Sequence, residues 1–273
     1  MITNFANTYN SDDFIYRHTG TLINTSYPLH NHNVCELLFL KKGEVSYLVE
    51  GKNYQLSKNY LVFTRPGDSH AINFSDQTEY ERYNILFDEK FLPSKIHHAI
   101  PTAIDVVNFN GNSLVCDLFK KMDYYTANFE GNTLKIILRN LTEELLYNVL
   151  IASKTQQGPE YTESPLINSA LKYIEDNLTS PLTIDSICNE LYITKSHLHH
   201  LFIEHLKISP KKYIMSKKLT MAQRELRSGS KPTEVYTNCG FAEYSTFYRD
   251  YIKFFGCSPS NEAERTIIQE IQA

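Results

Sequence analysis

The first third of the chain contains short apolar runs in which hydrophobic and polar residues alternate. Val45, Tyr47 and Val49 alternate with polar Glu44, Ser46 and Glu50, which is the period of a strand with one buried face. Turn-forming sequences such as that at 65–68 follow several of the runs. The predicted strands are 36–40, 45–49, 54–56, 61–63 and 83–87. Short strands at this spacing predict a β-sandwich or β-barrel between Tyr27 and about Phe91.

After about residue 110 the period becomes helical, and two apolar stripes follow. The first stripe is Leu114, Leu118 and Met122, and the second is Leu134, Ile137, Leu138, Leu141, Leu145 and Val149. They predict a helical hairpin at about 106–152. Two interpretations stay open: the hairpin covers the β-region, or its stripes pair between two chains as a dimer contact.

A polar segment without periodicity at 153–164 is the predicted linker. The chain is predicted to be helical almost throughout 165–262. The fold class that follows is α+β in two domains. Residues 1–152 form a β-rich domain with its hairpin, and residues 165–262 form an all-α domain.

The all-α part begins with a predicted helix-turn-helix. Thr183 is placed to cap one short helix, and Thr194 to cap a second that runs through Leu206. Leu198 and Phe202 face inward on the second helix. The side chains left outward include Lys195, Ser196, His199 and His200. A second helix with a polar outer face suits the major groove of duplex DNA.

The same pattern recurs about 50 residues later. Pro232 opens a short helix, Gly240 and Phe241 make a turn, and 243–254 is a second candidate reading helix. Its predicted inward residues are Phe247, Tyr251 and Ile252. Its predicted outward residues are Tyr244, Ser245, Tyr248 and Arg249. Two such units on one rigid body would enter successive major grooves.

These residues resemble the DNA-binding domain of the AraC/XylS family of transcription regulators. The matching residues are Leu191, Thr194, Leu198, Leu201, Phe202, Ser209, Pro210, Tyr213, Leu219, Ala222, Gly240, Phe241, Phe247, Arg249, Gly256, Cys257, Ser258 and Pro259. The chain departs from the family at Tyr192 and Lys207, where glycine is usual, at Lys218, where arginine is frequent, and at Tyr236, where alanine is common. The resemblance implies a non-enzymatic activator that binds duplex DNA as a homodimer, contacts RNA polymerase and reads bases from the outward positions named above.

A second group of residues follows the motif His30-x-His32-x-x-x-Glu36, with His70 in a later strand. Alternate residues of a strand face one side, so the four side chains can meet. Three imidazoles and a carboxylate suit a first-row transition metal. The motif resembles that of the cupin barrel, with Asn59 where a glycine is usual.

The sensor domains of AraC-type regulators resemble cupins, often without using a metal, and frequently bind a sugar. We therefore expect His30, His32, Glu36 and His70 to contact a small effector, with no metal and no cofactor. Two alternatives stay open. One is a metal-dependent cupin enzyme, such as an isomerase or oxygenase, that uses the same four residues. The other is a regulator that senses no ligand.

Composition adds a charge asymmetry to this picture. The net charge is −4, but residues 1–164 carry 14 basic and 19 acidic side chains, whereas residues 165–260 carry 12 and 9. Local positive charge is what DNA requires. The five cysteines lack CxxC spacing, which predicts buried thiols rather than disulfides or a zinc site. Without a secretory leader pattern or a long apolar run, we expect a cytoplasmic protein away from membranes.

Overall fold

The computed structural model describes residues 3–22, 27–74, 79–155 and 158–266. The first of its two parts is built on two antiparallel sheets. Strands β1–β6 are Thr3–Asn10, Phe14–Leu22, Tyr27–His30, Cys35–Lys42, Val45–Val49 and Lys52–Leu56. Strands β7–β11 are Tyr60–Thr64, His70–Asn73, Glu79–Phe87, Val106–Asn108 and Tyr161–Thr162. One sheet has the order β1-β2-β9-β4-β7-β10 and the other β11-β6-β5-β8-β3.

The predicted strands at 36–40, 45–49, 54–56, 61–63 and 83–87 are confirmed. The apolar run of strand β4 is continuous because the strand is buried on both faces. Leu37 and Phe39 pack in the core beside the helical hairpin, whereas Leu38 and Leu40 pack in the core between the two sheets. Glu36 has the same parity as Leu38, so its carboxylate points between the sheets.

Strands β1 and β2 lie before the region that the sequence pattern predicted as β. β1 is at the edge of its sheet, beside β2, and its sequence TNFANTYN does not alternate regularly between apolar and polar residues. β2 does have a buried face, formed by Phe14 and Tyr16, but its later residues are polar. The weak apolar signal of these strands explains why the pattern did not identify them.

The helical hairpin is present as α1, Ser113–Asn128, and α2, Gly131–Thr155. Its apolar stripes pack against the chain's own six-stranded sheet, where Phe119 stacks on Phe39 and on Tyr83. The interpretation that these stripes pair between two chains is therefore wrong, because nearly all of their side chains are buried within one chain. Leu114 is the exception and is exposed.

The segment predicted as a linker, 153–164, begins inside the last turn of α2. After residue 158 it forms the short strand β11, which pairs with β6 through Tyr161 and Tyr54. The phenol rings of these two tyrosines are 5.2 Å apart. The chain therefore contacts the β-domain once more before the all-α domain begins.

The all-α domain contains six α-helices among its described residues. Helices α3–α8 are Pro165–Asp176, Ile184–Leu191, Lys195–Leu206, Pro210–Arg227, Pro232–Asn238 and Tyr244–Phe255. The predicted caps are confirmed, since Thr183 accepts from the Ser186 amide and Thr194 from the His197 amide. The domain has two apolar cores, one formed by α3–α5 with Tyr213 and Ile214 of α6, and the other by the later part of α6 with α7 and α8. The prediction that Ile252 faces inward is wrong, because its side chain is exposed.

No helix in the described ranges combines the length and apolar character needed to cross a membrane.

Candidate nucleic-acid interface and ligand cavity

The outer face of α5 is mostly polar because four of its five apolar side chains are on the opposite face, while Ile203 is 39% exposed. Leu198, Leu201, Phe202 and Leu206 are buried against α3, α4 and α6. The predicted reading residues Lys195, Ser196, His199 and His200 are all exposed. Lys195 Nζ lies 2.7 Å from Asp185 Oδ1, but both side chains are largely exposed. Such a pair contributes little, so Lys195 can exchange its partner for a phosphate.

Helix α8 repeats this arrangement in the second half of the domain. Phe247, Tyr251 and Phe255 are buried, whereas Ser245, Tyr248 and Arg249 are exposed and Tyr244 is partly exposed. The Arg249 side chain is 72% exposed and faces only Asp250, at 3.5 Å. An extended guanidinium at this position can form two hydrogen bonds with one guanine. The structure thus places all eight predicted reading residues on two outward faces.

The departures from the family pattern at Tyr192 and Lys207 fall at residues with left-handed backbone. Their φ angles are 55° and 57°, a region that favours glycine. Tyr192 ends α4 and is 95% exposed, so its side chain has room. The first helix-turn-helix therefore keeps the usual backbone with side chains that are less suited to it.

The four predicted effector residues meet between the two sheets. His30 pairs in register with His70, and their ring centroids are 4.2 Å apart. The His32 and His70 ring centroids are 4.9 Å apart. Each imidazole donates from Nδ1 to a backbone carbonyl, because a carbonyl can only accept. The Nε2 atoms of His32 and His70 face the carboxylate of Glu36, whereas His30 is at an exposed position that lines the cavity.

Glu36 is the buried carboxylate that joins two of these imidazoles. Its Oε2 lies 2.9 Å from His32 Nε2 and 3.1 Å from His70 Nε2, and Asn84 Nδ2 donates to its Oε1. Burial alone would raise the pKa of Glu36, but the two imidazoles outweigh that effect and hold this pKa well below its usual range.

The same geometry shows how well these four residues could hold a metal ion of the kind that cupins bind. Ligand atoms of His30, His32 and His70 lie within 4.8 Å of one another, so the histidines have the spacing of a metal site. Glu36 is not a fourth converging ligand, because its Oε2 faces the Nε2 atoms of His32 and His70 that an ion would need. The histidines are thus held together by a carboxylate of the chain itself.

A cavity of about 460 Å³ opens beside this group. Besides the four predicted residues, its lining includes Arg17, Thr19, Tyr27, Asn31, Tyr47, Ile72, Arg82, Asn84, Leu86, Phe254 and Phe255. Two of these are arginines that the sequence analysis did not identify. They come from β2, whose polar residues gave no strand pattern, and from β9, where Arg82 lies on the same strand face as Asn84 and Leu86. If the search for alternating residues had included 14–22 and 79–87, it would have placed the two arginines on neighbouring strands.

The two arginines make the cavity strongly cationic. Arg82 lies over the rings of Tyr27 and Tyr80, and its Nε is buried without a hydrogen-bond partner in the part of the chain described. Burial and the neighbouring Arg82 lower the pKa of Arg17. Glu36 is already hydrogen-bonded, so the cavity has cationic groups to offer an anionic ligand.

The all-α domain closes one side of this cavity. Phe254 and Phe255, at the end of α8, line it together with residues of the β-domain. Asn31 lines it as well, and accepts a hydrogen bond at 3.0 Å from the Thr220 hydroxyl of α6. The cavity wall is therefore in direct contact with α6 and α8 of the all-α domain.

A second contact holds the domains together at the turn after β5. Lys217 Nζ of α6 donates to Glu50 Oε1 at 2.6 Å and to the Gly67 carbonyl at 2.9 Å. The Tyr213 hydroxyl donates to Glu50 Oε2 at 3.3 Å. Leu48 and Ala71, on the outer face of the smaller sheet, belong to the same apolar core as α3–α6.

Comparisons with known proteins find both parts of this architecture. Residues 15–99 match the AraC-like ligand binding domain, and residues 187–265 match a helix-turn-helix domain. The transcriptional activator RhaS of Escherichia fergusonii is 22% identical over 246 residues, which cover 86% of each chain. The raffinose operon regulator RafR of Pediococcus pentosaceus is 28% identical over 129 residues, 46% of each chain. The crystal structure of ToxT from Vibrio cholerae aligns with 94% of this chain and 99% of its own, at 13% identity and a TM-score of 0.39.

Proposed function

Because this chain belongs to the AraC family of transcription regulators, we propose that it reads duplex DNA with α5 and α8 under the control of a small ligand bound in the cavity. The observation that best supports this proposal is that α8, the second proposed reading helix, also forms part of the cavity wall through Phe254 and Phe255. A ligand that contacts both domains has a different affinity for the docked and undocked arrangements. It therefore shifts the equilibrium between them.

The ligand that fits best is a small sugar with an acidic group. The cavity offers Arg17 and Arg82 for the acid, and imidazole and amide groups for hydroxyls. The name of RafR refers to a sugar operon, which is consistent with a sugar effector. The names of the relatives describe regulators, which supports a non-enzymatic role over the metal-dependent cupin alternative.

Activation would require contact with RNA polymerase and, for two half-sites, a dimer. The name of RhaS describes an activator, which supports the first. For the second, α2 exposes Ile136, Tyr147 and Ile151 on the face opposite its buried stripe. Ile136 lies about three turns before Tyr147 and about four turns before Ile151, so the three side chains share one side of the helix. We propose that this face, and not the buried stripe, pairs two chains.

DNA reading is tested with Arg249→Ala in the full chain. The variant should bind its operator about 5- to 150-fold more weakly and lose discrimination at one base pair, because one bidentate base contact is worth about 1–3 kcal/mol. Binding to the upstream regions of the chain's own gene and its neighbours is measured across a salt series. Lys172→Ala, on the exposed face of α3, is the matched control and should bind like wild type. Equal binding by both variants would contradict the assignment of α8.

Ligand recognition is tested by the rise in melting temperature that sugar acids, sugar phosphates and neutral sugars produce. A ligand present at 100 times its dissociation constant should stabilise the chain by about 2.7 kcal/mol. Arg17→Gln should weaken an acidic ligand by about tenfold or more, since it removes a charged hydrogen bond. Lys120→Gln, an exposed substitution on α1, should have no effect. If neutral sugars bind equally well to wild type and Arg17→Gln, the arginines do not recognise the ligand.

A further inference from the structure

A second cluster of metal-ligating side chains lies on the other face of β4, away from the cavity. Cys35 is the first residue of β4 and pairs with Phe87, the last residue of β9. Glu89 follows two residues later, and His97 lies in a short 3-10 helix, Ile96–Ala99. One ligand atom from each of Cys35, Glu89 and His97 lies within 4.8 Å of the other two.

His97 gives an independent reason to expect a ligand there. Its side chain is buried, with the residue 3% exposed, and neither ring nitrogen has a hydrogen-bond partner within the described residues. Burying an imidazole without partners costs free energy, and such groups in native proteins usually have a water or ion beside them. A neutral imidazole has one ring nitrogen with a lone pair that can bind a metal ion, so His97 is suited to be a ligand.

We propose that Cys35, Glu89 and His97 bind a divalent transition metal, with Zn²⁺ as the best match. Thiolate, imidazole and carboxylate are the ligands that zinc prefers, and together they disfavour Mg²⁺ and Ca²⁺. Ligands of a tetrahedral zinc are roughly 3.5 Å apart, so the three side chains need to close by about 1 Å. Cys35 and His97 are buried, whereas Glu89 is partly exposed and provides the entry side.

His98 is the nearest candidate for the fourth ligand. Its Nε2 lies 3.3 Å from Glu89 Oε1, and its side chain is exposed and free to turn. The other carboxylate oxygen of Glu89 lies 3.8 Å from an Arg224 nitrogen of α6. These contacts are solvent-exposed and weak, so a cation bound directly to the carboxylate displaces them readily.

Metal binding must remove the thiol proton of Cys35. Burial and Glu89 raise the pKa of this thiol well above its usual value, so the sulfur is protonated without a metal. The sulfur–metal bond forms as the S–H bond breaks, and the proton leaves to solvent. Each bound ion therefore releases one proton. Cys35 is far in sequence from Glu89 and His97, and it is the only cysteine of the three, which is why the search for CxxC spacing did not find the cluster.

The test uses the reduced full chain, stripped with a chelator and titrated with Co²⁺, which replaces Zn²⁺ and reports a thiolate ligand by a near-ultraviolet charge-transfer band. We expect one thiolate-bound Co²⁺ per chain, and Zn²⁺ should displace it. Cys35→Ser should abolish the band, and Glu89→Gln should weaken binding by about tenfold or more. Cys116→Ser, at a partly exposed cysteine outside the cluster, should retain the band.

Two results would overturn the proposal. One is stoichiometric Co²⁺ binding without a thiolate band, which would place the metal at His30, His32 and His70. The other is a band that persists in Cys35→Ser. Because Cys35 is in the core, circular dichroism must show that its variant is folded. If the Cys35 variant is not folded, the Co²⁺ titration of Glu89→Gln decides the question. Glu89 is partly exposed in a turn, so its substitution leaves the core intact.

Discussion

Replacing Gly240 by alanine should destabilise the all-α domain by about 2–5 kcal/mol and abolish DNA binding. The residue has a φ of +69°, and a left-handed conformation costs a residue with a Cβ about 1–2 kcal/mol. The new Cβ would also lie 2.8 Å from the Thr179 carbonyl oxygen and 2.8 Å from Lys218 Nζ. The lysine tip can move, but the Thr179 backbone cannot move without displacing its turn, which adds about 1–3 kcal/mol.

Gly256 provides the matched control, because it has the same backbone with open space around it. Its φ is +72°, and a Cβ there would meet nothing within 4 Å. Gly256→Ala should therefore cost only the conformational term of about 1–2 kcal/mol. Urea unfolding of the full chain, with hydrogen exchange of the α7 and α8 amides, measures both losses. Equal losses in the two variants would show that the contact with Thr179 contributes nothing.

These glycines show what the family pattern could and could not predict. Each helix-turn-helix needs two left-handed residues, one in its turn and one after its reading helix. The first unit uses Tyr192 and Lys207 there, and the second uses Gly240 and Gly256. The sequence analysis identified the first two as departures, and the backbone gives the reason. It could not predict that Gly240 touches Thr179, which is distant in sequence.

In the rest of the fold and in the site, local features were likewise predictable from the sequence, whereas contacts between distant residues were not. Helix caps and half-buried strands are local, so Thr183, Thr194 and the strands at 36–40, 45–49, 54–56, 61–63 and 83–87 were predictable from neighbouring residues. The His30, His32 and Glu36 group was predictable as well, because one short motif contains it. The arginine pair was not, since Arg17 and Arg82 meet only when β2 pairs with β9. The sequence also could not show whether the apolar stripes of the hairpin pack on the chain's own sheet or on a second chain, because that depends on tertiary contacts.

Replacing Glu36 by alanine should destabilise the β-domain by about 3–5 kcal/mol. Glu36 is hydrogen-bonded to Asn84 and lies beside the Nε2 atoms of His32 and His70, all inside the protein. Removing one partner of a buried ionic network leaves the others without compensation, which is costly. Glu36→Gln is the matched control. Its amide keeps the volume, accepts from Asn84 and can donate to a neutral His32, so we expect a loss of only about 1–2 kcal/mol.

The difference in stability against urea between wild type and Glu36→Gln, measured as a function of pH, tests whether Glu36 is ionised in the folded chain. Its pKa in the folded chain lies below the ordinary value of about 4.5, so the unfolded chain takes up this proton first as the pH falls. The stabilisation from the carboxylate is therefore complete above about pH 4.5 and is lost as the pH falls toward the folded pKa. Urea midpoints of both proteins should differ by a constant amount from about pH 5 to 8 and converge in more acidic solution. A difference that stays constant through the acidic range would mean that Glu36 is already protonated in the folded chain. The histidines would then be held by a neutral carboxyl group, and the low pKa of Glu36 would be wrong.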